Sequence, residues 1–176
     1  SMADFTNVPS NGKIAIRFEE GSDDRLIGVS LCGEGDDVFL ASRRGKSIRF
    51  KVSDLRVFKG RKSTGVRGMK LAAEDEVMSL SILLGLGDAA VTREERDQYL
   101  KSAPWKSEPA PVTLDAARMQ ELERLEQFIL TVTENGFGKR TSSFEYSTIG
   151  RGGQGVVNID TSARNGWVVN SGPVDE

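Results

Sequence analysis

The strongest constraint on this chain is that much of it is written twice. Residues 37–66, DVFLASRRGKSIRFKVSDLRVFKGRKSTGV, and residues 127–156, QFILTVTENGFGKRTSSFEYSTIGRGGQGV, align at an offset of 90 residues with a compensating one-residue shift near the central turn. Each copy runs strand, glycine turn, basic strand, then Gly-Arg-x-x-x-Gly-Val, at Gly60–Val66 and Gly150–Val156. A unit of short strands cannot cover both of its faces by itself. Repeating it predicts an all-β fold of four-stranded antiparallel sheets stacked like the blades of a propeller.

Strands are predicted at 13–18, 25–31, 37–42, 46–52, 65–71 and 76–83, and again at 127–133, 138–144, 155–160 and 166–170. Gly21-Ser22, Asn135-Gly136 and Asn165-Gly166 supply turn signals between them. On this reading residues 1–84 hold the end of one blade and the first complete blade, and 127–176 hold the second blade and the start of the next. Residues 85–126 interrupt the repeat. Thr92-Arg93-Glu94-Glu95 fits a capping box opening a helix at about 93–101. Pro104, Pro109 and Pro111 mark an extended linker, and Leu114, Ala117, Leu122 and Leu125 favour a second helix over 113–126. The insertion is expected to pack on the β unit by this leucine stripe; docking of a partner is the alternative.

Charge is distributed unevenly. Residues 43–70 hold eleven Lys or Arg and one acid, Asp54, in a chain of formal net charge −2. The period-2 pattern places Ile48, Phe50 and Val52 on one side of a strand and Ser47, Arg49 and Lys51 on the other, so the cations are expected to point outward together. A solvated strand face is the plain reading. Charge this dense repels itself unless a polyanion relieves it, which favours a phosphate-binding surface.

Other chemistries are excluded or lack a signature. Histidine is absent and Cys32 is the single cysteine, so no disulfide, Cys/His zinc site, Ser-His-Asp triad or Cys-His pair can be assembled within the chain. Cys32, beside an apolar strand, is expected to be a buried structural thiol. Asp23-Asp24 and Asp36-Asp37 read as turn-like and solvated, with no apolar pocket signature around them. No Walker-type phosphate loop is present. No apolar run approaches the roughly 20 residues of a membrane span, and the start lacks a secretory pattern; a reducing cytoplasmic setting is the simpler expectation. Ser1-Met2 reads as appended residues ahead of sequence that begins mid-protein.

The stretches GKSIRFKVSDLRVFKGRKSTGVRGMKL, ILTVTENGFGKRTSSFEYSTIGRGGQGVVNI and RNGWVVNSGPVD resemble the C-terminal domain of the DNA gyrase A protein, part of a bacterial type IIA topoisomerase, and the likeness spans nearly everything except the insertion. The resemblance implies a β-pinwheel in which neighbouring blades exchange strands, here a partial disc of about two to three blades with a short helical insertion. It implies a non-catalytic module that binds, bends and wraps double-stranded DNA on its rim and supports ATP-dependent negative supercoiling by the whole enzyme. The rim residues it implies are Arg43, Arg44, Lys46, Arg49, Lys51, Arg56, Lys59, Arg61, Lys62, Arg67 and Lys70 in the first copy, and Lys139, Arg140 and Arg151 in the second. Val52, Leu55, Val57, Phe58 and Val66 read as packing positions.

No cofactor is implied for this segment; ATP and Mg2+ would belong to gyrase B and the enzyme core. The implied partners are the rest of gyrase A and gyrase B in an A2B2 complex, with no membrane, in the cytoplasm at the nucleoid. Neither tyrosine, in Gln98-Tyr99 or Glu145-Tyr146, matches the Arg-Tyr pair with which gyrase A cuts DNA. The family's Gln-Arg-Arg-Gly-Gly-Lys-Gly wrapping signature has only a degenerate echo at Gly150–Gly155. Alternatives are the corresponding C-terminal domain of topoisomerase IV and a propeller-type protein-interaction scaffold.

Overall fold

The computed structural model describes residues 5–58, 63–86, 91–103, 105–108 and 111–174. The first sheet is built from β1 (Asp37–Ser42), β2 (Lys46–Lys51), β3 (Val77–Leu83) and β6 (Val156–Val157), in the order β3-β1-β2-β6. The second contains β4 (Phe128–Thr133), β5 (Gly138–Ser142) and β7 (Val168–Val174), in the order β5-β4-β7. Every strand pairing is antiparallel.

The copies superpose in detail. Lys51 faces Asp37 as Ser142 faces Phe128, and each first strand carries one irregular step, at Ala41/Ser42 and at Val132/Thr133. A 3-10 turn follows each second strand, at Val52–Asp54 and Ser143–Glu145. These elements repeat at 91 residues. Only the Gly-Arg loop keeps the offset of 90 read from the sequence, with Gly65 and Gly155 both at positive φ.

β6 belongs in sequence to the second copy but completes the sheet of the first, Lys46 facing Val157 and Ser47 facing Val156. Two glycines make this exchange possible. Gly155, at φ 70°, has Ser47 O only 2.2 Å from where a Cβ would stand, and Gly45, at φ 84°, has Ile159 O at 2.3 Å.

All six residues of β1 are buried, because both faces of the first sheet are covered. Val38 and Leu40 pack with Ile48, Phe50 and Met69, flanked by Val52 and Leu55. On the other face Phe39, Ala41 and Leu83 meet Ile129 and Tyr146 of the second blade, Tyr146 standing edge-on to Phe39 at 5.1 Å between ring centres. Burial raises the Tyr146 pKa. Several polar atoms trapped at this joint pair within it, although Ser47 Oγ finds no partner among the described residues. Thr131 and Ser171 hydroxyls lie 2.6 Å apart, Asn158 donates to Thr131 at 2.9 Å, and the Ser171 amide donates to Ser79 Oγ at 3.2 Å.

The strands expected at 13–18, 25–31 and 65–71 do not form, and 155–160 contracts to the two residues of β6. A strand needs a neighbour. Residues 25–31 align with β3 and β7, each of which pairs with a first strand, and among the described residues no first strand precedes them. Leu26, Ile27, Val29 and Leu31 are therefore exposed, and so is Cys32, contrary to the expected buried thiol. Val57 is likewise exposed rather than packed.

The insertion folds into α1 (Arg93–Ser102) and α2 (Ala116–Leu125). The capping box is present at Thr92 and Glu95, while Asp115 caps α2, which starts later than the expected 113. Leu114, Leu122 and Leu125 do pack toward the blade, on Phe144 of the second 3-10 turn and with Tyr99; Ala117 stays outside. Pro104 and Pro109 lie outside the described residues. Arg118 of α2 ties the two helices, its Nε 2.8 Å from Glu95 Oε1 of α1, and its Nη1 also lies 2.6 Å from Glu121 Oε2 of its own helix. The Arg118 guanidinium and the Thr92 amide hold the Glu95 carboxyl down to about 2.

Candidate nucleic-acid interface

β2 does not present its cations on one outward face. Ser47 and Arg49 are as buried as Ile48 and Phe50, because the second blade covers the side expected to face solvent. Arg49 is 3% exposed; its Nε donates to Asp37 Oδ2 at 2.8 Å and its Nη1 to the Ser143 carbonyl of the next blade at 3.0 Å. The expectation that Arg49 belongs to a rim is thereby corrected. A guanidinium with a carboxylate partner at hand can be buried and used to pin one blade on another.

The remaining cations of the run divide between the two ends of β2, about 17 Å apart for a strand of this length. At the hairpin end Arg43 pairs with Glu76 at 3.3 Å and Glu134 at 3.6 Å, and Arg44 pairs with Glu74 at 3.0 Å while lying over the Trp167 ring at 5.6 Å. Lys46 is half-buried there. Carboxylates neutralise much of this end.

The opposite end differs. Lys51, Arg56, Arg67, Lys70 and Arg151 are all exposed, and among the described residues none of them has a carboxylate partner. Arg151, from the second copy, knits the group together, donating from Nε to the Asp54 carbonyl and from Nη1 to the Arg67 carbonyl, each at 3.2 Å. Backbone bonds from Gly152 N to Gly68 O at 2.6 Å and from Lys70 N to Gly153 O at 2.8 Å join residues 68–70 to the Gly-Arg loop of the second copy. Gly152 needs its glycine for a φ of 81°, whereas Gly150 does not. Arg56 lies over the Phe58 ring at 4.8 Å. Lys59, Arg61 and Lys62 fall outside the described residues.

The second blade contributes less. Lys139 Nζ donates to the Asn158 carbonyl at 3.2 Å, and Arg140 lies over the Phe128 ring at 3.9 Å. Sequence reasoning missed Arg164, which lies over Phe137 at 4.8 Å beside Lys139. Its signal was faint, one arginine in a polar turn. Among the described residues the arrangement offers fixed positive charge. Among the described residues no cluster of His, Cys, Asp or Glu could hold a metal, and no helix is long and apolar enough to cross a membrane.

A family model described as DNA gyrase C-terminal domain, beta-propeller, matches residues 3–32, 36–83 and 127–175, skipping α1 and α2. The chain is 46% identical to the DNA gyrase A protein of Rickettsia felis over 98% of its length, and 46% identical to that of Granulibacter bethesdensis over 96%. It is 37% identical to the gyrase A protein of Salmonella typhimurium over its full length. It spans only 20%, 20% and 15% of those three relatives. Among solved structures, a DNA gyrase A C-terminal domain matches 99% of the chain at a TM-score of 0.65 and 22% identity, covering 44% of that structure. A C-terminal domain of DNA topoisomerase IV matches 92% at 0.61 and 18%, covering 37%. Both share the fold.

Proposed function

This chain belongs to the DNA gyrase C-terminal β-propeller family, and from that premise we propose that it is a non-catalytic, DNA-binding and DNA-bending segment of a gyrase A protein. The observation that carries the proposal is the set of exposed cations Arg56, Arg67, Lys70 and Arg151, none of which forms an ion pair among the described residues. A set of exposed cations stapled by backbone bonds between two blades is suited to a run of phosphates, which need charge and spacing but no base reading.

DNA then lies along the Gly-Arg loop end of the sheets. Lys59, Arg61 and Lys62 belong to the same loop in sequence and would add to it. Arg43 and Arg44, already paired, contribute less. The gyrase A protein that contains this segment partners gyrase B in an A2B2 assembly at the nucleoid, and ATP and Mg2+ serve the other parts of that enzyme.

Fluorescence anisotropy of the chain with a labelled duplex across a salt series tests the reading. Affinity should fall linearly on a log–log plot, with a slope of about −0.9 for each phosphate neutralised. Salt-independent affinity, or none at low salt, would refute it.

A further inference from the structure

The turns that lead into β3 and β7 hold matching places in the two blades and differ in charge. Ahead of β7 the turn is Asn165-Gly166-Trp167, with the glycine at φ 77°. Ahead of β3 the same places hold Glu74-Asp75-Glu76. The turn itself therefore has no need of carboxylates. In the first blade it even adopts a less comfortable backbone, since Glu74, at φ 58°, is the one described residue other than glycine in the left-handed region. Asp75 holds it there. Its Oδ1 accepts from the amides of Arg44 and Glu76, each at 3.0 Å, which fastens the turn to the β1–β2 hairpin.

The acids of this turn lie against arginines. Glu74 pairs with Arg44 at 3.0 Å, and Glu76 reaches both Arg25, at 2.8 Å, and Arg43, at 3.3 Å. Glu134, from the hairpin of the second blade, meets Arg43 at 3.6 Å and accepts from the Trp167 amide at 3.2 Å, while the Trp167 ring lies beneath Arg44. These pairs are open to solvent, so they add little to stability. Their effect is to cancel charge where two hairpins bring arginines together. A carboxylate fixed in place competes with an incoming phosphate at an effective concentration on the order of millimolar or above.

We infer that the Glu74–Glu76 turn, with Glu134, is a guard: it masks a second phosphate-binding surface made by Arg43 and Arg44, and so confines duplex DNA to the Gly-Arg end of the blades. The inference rests on the DNA-binding reading and names the residues that choose the path of the duplex.

The test is duplex anisotropy across a salt series on this chain and on Glu74→Gln/Glu76→Gln/Glu134→Gln. Glutamine keeps the side-chain shape, and Asp75 is left in place to hold the turn. Freeing Arg43 and Arg44 should raise affinity at least about fivefold and steepen the log–log slope by about 1.8, the contribution of two phosphates. Glu74→Gln alone, which frees only Arg44, should steepen it by about 0.9. Removing acids favours any polyanion, so the deciding comparison is Arg43→Gln/Arg44→Gln made in both backgrounds. In the native chain that change should weaken binding less than about twofold; in the triple variant it should remove the whole gain and restore the slope. An unchanged slope in the triple and single variants, or an equal loss from Arg43→Gln/Arg44→Gln in both backgrounds, would overturn the guard while native binding upheld the DNA reading. Binding by the triple variant alone would keep the mask and remove the Gly-Arg end from the DNA path. Binding by neither would overturn both.

Discussion

Arg49 and Arg140 hold the same place in two copies of one blade and do different work. In the first blade the strand opposite supplies Asp37, and the arginine closes into a buried ion pair that also reaches the next blade's backbone. In the second the corresponding residue is Phe128, and the arginine lies over its ring at the surface. The two arginines differ both in the neighbour across the strand and in whether a second blade covers them. The lesson for a repeat is that register fixes where a side chain stands, while the neighbour across the strand and the blade that covers it fix what it does.

The largest expected break in this comparison comes from removing each arginine in turn. Arg49→Ala leaves Asp37 buried without its counter-charge, keeping only the Thr148 hydroxyl at 3.4 Å, and should cost about 3–5 kcal/mol in urea denaturation, whereas Arg140→Ala should cost below about 1 kcal/mol. Equal losses would show that the blades do not differ at this position. Next comes the anchor of the insertion. Phe144→Ala should cost about 3 kcal/mol and release α1 and α2 to proteolysis, while Ser53→Ala at the matching site should stay within about 0.5 kcal/mol.

At the surface, Arg151→Glu should weaken duplex binding and flatten the log–log salt slope by about 1. Arg44→Glu, at the end already crowded with Glu74 and Glu76, should change both by less. A result in the opposite order would move the DNA path to the hairpin end. The smallest effect is a pH effect in the insertion. Glu95 is held at about 2 from its ordinary 4.5; a depressed carboxylate stabilises the fold above its unfolded pKa, and that stability drains as pH falls from about 4.5 to about 2. Tyr99 and Trp105 fluorescence should report loosening across that window, and Glu95→Gln should abolish the pH dependence.

The repeat, the hairpins and the capping box were legible in the sequence because they are local. Glycines at fixed offsets mark 45 and 136, alternation marks β1 and β2, and Thr92 with Glu95 marks a helix start. What could not be read depended on contacts distant in sequence. Period-2 alternation gives the side of β2 on which Arg49 lies, but not that a second sheet lies against that side. Residues 25–31 have the composition of a strand and lack an edge to join. The division of the cationic run into two ends required knowing where Glu74, Glu76 and Glu134 come to rest.

The exchanged strand has a consequence for how the molecule is made. Thr161 donates to the Arg44 carbonyl across 117 residues of chain, and β6 reaches β2 over nearly as many. On a ribosome the first sheet therefore waits, with the outer edge of β2 open, until the helices and most of the second blade have emerged. Lengthening that wait by an insertion is thermodynamically cheap, since even doubling a closing loop adds only about 0.6 kcal/mol. Its effect falls on time: an unpaired edge stays available to other chains for longer.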